Sequence, residues 1–214
     1  MNTFAFVPRI GVQFLGSGSL NAQCSGSSCT AASDSIDYDL SQAFAISFDF
    51  LFRVGDLFRL GPGLAYTHTM DWQASGQSSH TEMGNLTDLN FVAELIPRVS
   101  PTVWLVPRLQ LGLTVYNASG TADTDESANK ASCNSSSGVS GCDSIGSPHL
   151  GYNIGAGFGV LFATGSAVRV RIDLLADYYK FNLVDITGTD STGATHVTET
   201  ASGLRYLLMA GIEI

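Results

Sequence analysis

Apolar and polar residues alternate one for one at eight places along this chain, and no other feature limits its fold as strongly. The longest instance runs from Tyr38 to Phe52. Its even positions are Tyr38, Leu40, Gln42, Phe44, Ile46, Phe48, Phe50 and Phe52. Its odd positions include Asp39, Ser41, Ala43, Ser47 and Asp49, and Arg53 follows on the same parity. A period of two belongs to a β-strand with two unlike faces. The pattern returns at Phe4 to Phe14, Phe58 to Tyr66, Leu89 to Leu95, Val103 to Val115, Leu150 to Phe162, Val168 to Tyr178 and Leu204 to Ile214. Eight antiparallel strands are predicted, forming one domain over residues 1–214.

The connections alternate in length. Short links fall around Val54 to Asp56, Arg98 to Pro101 and Ala163 to Ser166. Long polar links run from Ser17 to Ile36, Asp71 to Glu82, Ala118 to Pro148 and Val184 to Thr198. All short turns therefore lie at one end of the strands and all long loops at the other. A soluble up-and-down barrel has no physical need for that asymmetry. A barrel threaded through a membrane has one.

Which face meets lipid follows from the charges. Only 14% of the chain is charged, against about 25% in an ordinary soluble domain. The polar faces carry arginine, aspartate, glycine and small residues instead of the lysine and glutamate of a wet exterior. All eight arginines (Arg9, Arg53, Arg59, Arg98, Arg108, Arg169, Arg171 and Arg205) sit in strands or short turns, while Lys130 and Lys180 lie in or beside long loops. Arginine suits desolvated pairing because its planar fork meets a carboxylate through two bonds. The polar face is thus expected to be a confined interior and the apolar face to look at lipid.

Strand length agrees: about ten residues at ~3.3 Å rise and ~45° tilt span roughly 23 Å, close to the apolar band of a membrane barrel. Two aromatic girdles are expected. Phe4, Phe50, Phe52, Phe58 and Phe162 would form one, and Tyr38, Tyr66, Tyr152, Tyr178 and Tyr206 the other. No run approaches the ~18 apolar residues of a membrane helix. Met1-Asn2-Thr3 leads straight into a strand with no secretory leader, so an exported chain of this kind is expected to be a mature form with an added or retained Met.

In strand count, alternation and loop asymmetry the whole chain resembles the small eight-stranded outer-membrane barrels of the OmpA/OmpX type. No short family motif carries the likeness. Such barrels commonly end in an aromatic residue read by the assembly machinery. This chain ends Gly211-Ile212-Glu213-Ile214, keeping the alternation without the aromatic. The resemblance implies an up-and-down transmembrane β-barrel in a Gram-negative-type outer membrane. Lipid and lipopolysaccharide would surround it, its turns and both termini would be periplasmic, and its long loops would be extracellular.

Eight strands enclose an interior that side chains can fill. The expected filling is a charge network of Arg9, Arg53, Arg59, Arg108, Arg169, Arg171 and Arg205 with Asp39, Asp49, Asp88, Glu94, Asp173, Asp177 and Glu213, which balance one for one. If Phe52 faces Phe58, Arg59 lies diagonal to Asp49. If Phe162 faces Val168, Gly159 faces Arg171 and Gly157 faces Asp173. The glycines at 151, 155, 157 and 159 then leave room for the neighbouring strand. A phosphate loop is the other reading of that glycine run, but no helix follows it. The charges read either as a plug or as a selectivity filter; the plug is favoured.

The cysteines form two close pairs, Cys24/Cys29 and Cys133/Cys142, in Ser/Gly/Asn-rich segments. Two loop disulfides in an oxidising compartment are expected. Free thiols or a metal site are the alternatives, and a four-cysteine zinc site usually has tighter spacing on both sides. The net charge of −9 is concentrated in the loops, which disfavours nucleic acid and favours cations or basic partners. Asp123-Thr124-Asp125-Glu126 lacks the glycine of a calcium loop and reads as a solvated acidic loop. No metal or cofactor is expected.

Barrel-type lipid A hydrolases and acyltransferases place histidine and serine at the outer rim. Here His68 is near that rim, followed by Thr69, Met70 and Asp71 with no serine at short spacing, so an interface anchor is favoured. His80, His149 and His196 lie in or beside loops. The expected function is a non-enzymatic structural or cell-surface protein with a possible extracellular ligand at its loops. A narrow pore is the alternative, and a lipid-modifying enzyme a more distant one.

Overall fold

The computed structural model describes residues 4–26, 29, 33–74, 81–136, 138–146, 148–164, 168–190 and 193–214. His80, parts of the expected loops and the end of the link at Ala163 to Ser166 lie outside the described residues. The strands are β1 (Phe4–Gly26), β2 (Ser33–Leu40), β3 (Ala43–Val54), β4 (Phe58–Ala74), β5 (Thr81–Leu95), β6 (Arg98–Ser100), β7 (Val103–Ala118), β8 (Val139–Ser140), β9 (His149–Ala163), β10 (Arg169–Asp190) and β11 (Gly193–Glu213). Among the described residues one helix, α1 (Gly120–Ser135), and one 3-10 turn at Cys142–Ser144 complete them.

The sheet closes on itself. β1 pairs with β11 on one side and with β2 and β3 on the other. The ring then runs through β4, β5, β7, β9 and β10 back to β11, each antiparallel to the next. β2 and β3 together make one stave, while β6 and β8 are short side pairings. Eight staves thus form a closed antiparallel up-and-down barrel, as the alternation predicts. Closure leaves no stave with an unpaired edge in lipid. Among the described residues no helix is long and apolar enough to cross a membrane, so crossing falls to the strands.

The outer face carries the oil. Ile10, Leu89, Phe91, Leu109, Leu111, Leu113, Ile154 and Leu174 are all more than half exposed. Water would penalise a continuous surface of this kind, and hydrocarbon does not. The short-turn ring gathers Phe4, Phe6, Phe48, Phe50 and Phe52, with Phe4 and Phe52 centroids 5.5 Å apart.

Three features depart from the alternation. First, β1, β10 and β11 run on well past the apolar band. β1 stays paired to β11 as far as Gly26 opposite Thr195, and β10 and β11 close in a hairpin at Asp190 opposite Gly193. Much of the expected loops Ser17 to Ile36 and Val184 to Thr198 is therefore strand. Above the membrane both faces meet water, so period-two hydropathy fades while the backbone ladder persists. Second, the register of two hairpins differs by two residues from expectation. Val54 opposes Phe58 and Asp49 opposes Gly63. Phe162 opposes Val170, so Gly159 faces Asp173 and Gly157 faces Leu175. The first link is a tight three-residue turn in which Gly55 takes φ +76°, a conformation that favours glycine.

Third, the faces switch at Ser41–Gln42, between β2 and β3. In β3 the odd residues Ala43, Ala45, Ser47, Asp49 and Leu51 are buried; in β2 the even residues Tyr38 and Leu40 are. From Leu40 to Ala43 the inward positions are three residues apart instead of two, and that one extra residue turns the following side chains to the other face. Tyr38 consequently points into the barrel and does not belong to the lipid-facing girdle, and Asp39 points out. A bulge between Gln13 and Leu15 does the same to β1. Phe14 and Leu15 both face outward there.

Candidate functional site: a plugged lumen under a capped mouth

The lumen is filled in layers. At the short-turn end, Ile96, Trp104, Val106 and Leu161 form an apolar floor. Arg98 and Arg169 stack over the Trp104 ring at 5.3 and 5.0 Å, a favourable placement for a cation on an aromatic face.

Above the floor lies a continuous network of ion pairs joined by side-chain hydrogen bonds. Glu213 accepts from Arg169 at 2.8 Å and from Arg59 at 2.6 Å. Arg59 also reaches Glu94 at 2.8 Å. Glu94 is the hub, accepting further from Arg171 at 2.6 Å and Arg108 at 3.2 Å. Arg171 continues to Asp173 at 2.7 Å, and Arg9 joins Asp173 at 3.2 Å to Asp49 at 2.5 Å. Asp49 also pairs with Arg108. Gln110 receives bonds from Arg108 and donates to Asp177 at 3.1 Å. Arg205 then links Asp177 at 2.6 Å to Asp88, which accepts from Thr114 at 2.7 Å. The buried glycine stripe of β9 makes room for it: a Cβ at Gly159 or Gly155 would overlap the carboxylate of Asp173 or Asp177.

Two of the sequence-expected members stand apart. Asp39 is exposed on the outer side of β2, for the parity reason given above. Arg53 folds over its own turn, donating to the carbonyls of Gly55 at 2.8 Å and Asp56 at 2.7 Å. One cation and one anion leave the set together, so the other twelve residues keep equal numbers of each sign.

Next comes an aromatic deck that the lipid-face pattern does not reveal. Tyr38 and Tyr179 share a hydrogen bond of 2.9 Å. Tyr179 and Phe181 rings lie 5.7 Å apart, and Phe181 stacks on Tyr116 at 4.7 Å. Tyr116 donates to the Met83 carbonyl at 2.6 Å, and Trp72 meets Tyr38 edge-on. Extending the inward parity of Asp173 and Asp177 along the same strand would have found Tyr179 and Phe181. No comparable signal exists for Tyr38, whose parity is broken by Ser41–Gln42.

Over the deck lies a cavity of about 200 Å³, partly covered by α1. The helix is polar on every side and buries no residue of its own, so propensity and amphipathic packing give it little support. Tethers hold it instead. At its start, Ser119 donates to Glu82 of β5 at 2.9 Å. In its middle, Glu126 meets His149 of β9 at 2.9 Å. At its end, a Cys133–Cys142 disulfide joins it to the 3-10 turn. Ser144 of that turn donates to the Asp185 carbonyl of β10 at 3.0 Å. The Asp123–Glu126 run thus lies in the first half of a lid helix and not in a free loop. The second disulfide, Cys24–Cys29, closes the tip of β1.

Among the described residues two further histidines, His68 and His196, lie away from the lid. His68 bonds the Tyr66 hydroxyl at 3.1 Å on the outer surface, and His196 pairs with Asp185 at 2.7 Å. Among the described residues no cluster of three metal-ligating side chains occurs.

No protein-family profile matches the chain, and no curated protein sequence matches it. Solved structures do. The outer membrane protein OprG from Pseudomonas aeruginosa superposes with a TM-score of 0.50 at 9% identity, covering 98% of this chain and 95% of that one. The outer membrane protease OmpT from Escherichia coli gives 0.48 at 8% identity over 100% and 98%. Neisserial surface protein A gives 0.41 at 14% over 100% and 97%. At such identities the likeness speaks for architecture alone: this chain has the fold of a small outer-membrane β-barrel.

Proposed function

We propose that the chain is an integral outer-membrane protein, neither enzyme nor open pore, whose barrel is a plugged anchor and whose capped mouth is its working surface. Bilayer lipid and lipopolysaccharide surround it in this reading, with the short turns and both termini periplasmic and the helix-capped mouth outside the cell. The observation that carries it is the buried network of arginines and carboxylates from Arg169 to Asp88, made continuous by the Gln110 side chain, to which every stave but β9 contributes a charged residue. The void beside it measures about 20 Å³, room for one water. Opening a path would separate buried pairs, each costing about 3–5 kcal/mol.

Planar-bilayer recording tests this. The purified barrel should insert without steady conductance. A pore would instead show ion-selective steps that change on Arg108→Gln or Asp173→Asn. One observation favours that second reading: Gln13 Oε1, Arg59 Nε and Asn153 Oδ1 are buried without a protein partner, and water bound to them would begin a wet path.

A further inference from the structure

The mouth cavity has walls and charges that select a ligand class. Its body is apolar and aromatic, drawn from Leu20 of β1, Trp72 of β4, Met83 of β5 and Leu183 of β10 over the tyrosine deck. Its charged groups are all anionic, Asp125 and Glu126 from the lid and Glu199 from β11, beside the neutral Thr81 and Asn129. No lysine or arginine lines it among the described residues. Lys130, the nearby cation of α1, is turned to Asp143 at 3.3 Å. Two sides of the cavity thus oppose each other, an acidic lid and wall against an oily, π-rich base.

That combination discriminates. A fatty acid or other anion would meet the carboxylates. A bare inorganic cation would have to shed water against Trp72, Met83 and Leu183 with too few converging oxygens. A small molecule with an aromatic or aliphatic body and one ammonium group satisfies both sides. Its body fills the apolar base, and its charge lies between carboxylates and ring faces. We infer that the capped mouth binds small organic monocations, with Glu199 as the principal counter-charge. Burial pushes the Glu199 carboxyl above its ordinary range, with the facing His149 opposing the shift. A cation beside it would restore the ionised form.

The inference deepens the reading of the mouth as working surface. Binding is measured by calorimetry and plugging by conductance, so either can fail alone. The experiment titrates phenethylammonium into the full-length barrel in a zwitterionic detergent, with 3-phenylpropionate as the anion of matched shape. Saturable one-to-one binding of the amine, and none of the carboxylate, is expected. Glu199→Gln should weaken the amine about tenfold, the loss of one charge-assisted contact. Asp34→Asn, on the exposed part of β2, should change nothing. Ala122→Phe, which fills the cavity from the lid, should abolish binding while the unboiled barrel keeps its gel mobility. Equal binding of amine and carboxylate, an unchanged Glu199→Gln, or a uniform loss that includes Asp34→Asn would overturn the inference.

Discussion

The hydroxyls of Tyr38 and Tyr179 lie 2.9 Å apart across the mouth of the barrel, on staves that are not neighbours in the ring. Tyr38 also lies 3.3 Å from the Ser202 carbonyl of β11. A phenol has one proton, so both bonds form together only if Tyr38 donates to Ser202 and accepts from Tyr179. Tyr179→Phe should then cost about 1 kcal/mol, one neutral hydrogen bond. Tyr38→Phe should cost more, because it also removes the bond to the Ser202 carbonyl. The double variant should match Tyr38→Phe closely, since the bond between the rings is lost only once. Urea midpoints, followed by the loss of the compact gel form, read all three. Fully additive losses would show that the two hydroxyls do not interact.

Glu94 gathers three guanidinium groups, those of Arg59, Arg108 and Arg171. Glu94→Gln leaves them partly uncompensated in a dry interior and should destabilise the barrel by about 3–5 kcal/mol. Arg53→Gln serves as the contrast. Its partners are turn carbonyls and the exposed Asp56 carboxylate at 3.5 Å, and the loss should stay below about 1 kcal/mol. Comparable losses for the two would mean that the buried network is no more than a surface array.

The legibility of this molecule follows the lipid. Where hydrocarbon touches the outer face, as along Leu109, Leu111 and Leu113, it enforces alternation, and the inward Arg108, Arg171, Asp173 and Asp177 can be read directly from parity. Where the barrel rises into water, that constraint lapses. The outer ends of β1, β10 and β11 then look like loop, although their ladders are unbroken. Tyr38 and Asp39 exchange faces because Ser41–Gln42 shifts the count, and nothing in residue type marks that break. Helix α1 is invisible for another reason. Its Thr, Ser, Asn and Gly residues have weak helix preference, and its tethers come from Glu82, His149 and Cys142, which are distant in sequence or outside the helix.

Those tethers predict a lid that can loosen by itself. The Cys133–Cys142 link closes a short loop, and its removal should weaken the cap by roughly 2–3 kcal/mol. With both cysteines changed to serine, amide exchange should accelerate across Gly120–Ser135 and stay slow in β7, β9 and β10. If exchange instead accelerated throughout the strands, the lid would be part of one cooperative unit with the barrel.

His68 provides a test of the non-enzymatic reading. Its ring is occupied by Tyr66 on the outer surface. Mass spectra of lipid A from cells carrying the protein or His68→Ala should be the same. An acyl chain gained or lost only with the unaltered protein would promote the lipid-modifying alternative.

Glu199 connects stability with pH. Its carboxyl titrates above the ordinary range because burial disfavours the charge, and His149 only partly offsets this. Asp125 and Glu126 of the lid, His149 at the start of β9, and the Tyr38 and Tyr116 phenols of the deck are the other titratable groups around it. A carboxyl raised on folding holds its proton more tightly in the native state than in the unfolded chain. Stability from this group is therefore highest below the usual carboxylate range and declines as pH climbs through the raised value. Glu199→Gln keeps the amide's shape and removes the titration. The difference in urea midpoint between the two proteins should be near zero in acid and shift in favour of the glutamine form toward neutral pH. A difference that is flat with pH, or grows in favour of glutamate, would show that the carboxylate already has a counter-charge in the unliganded mouth.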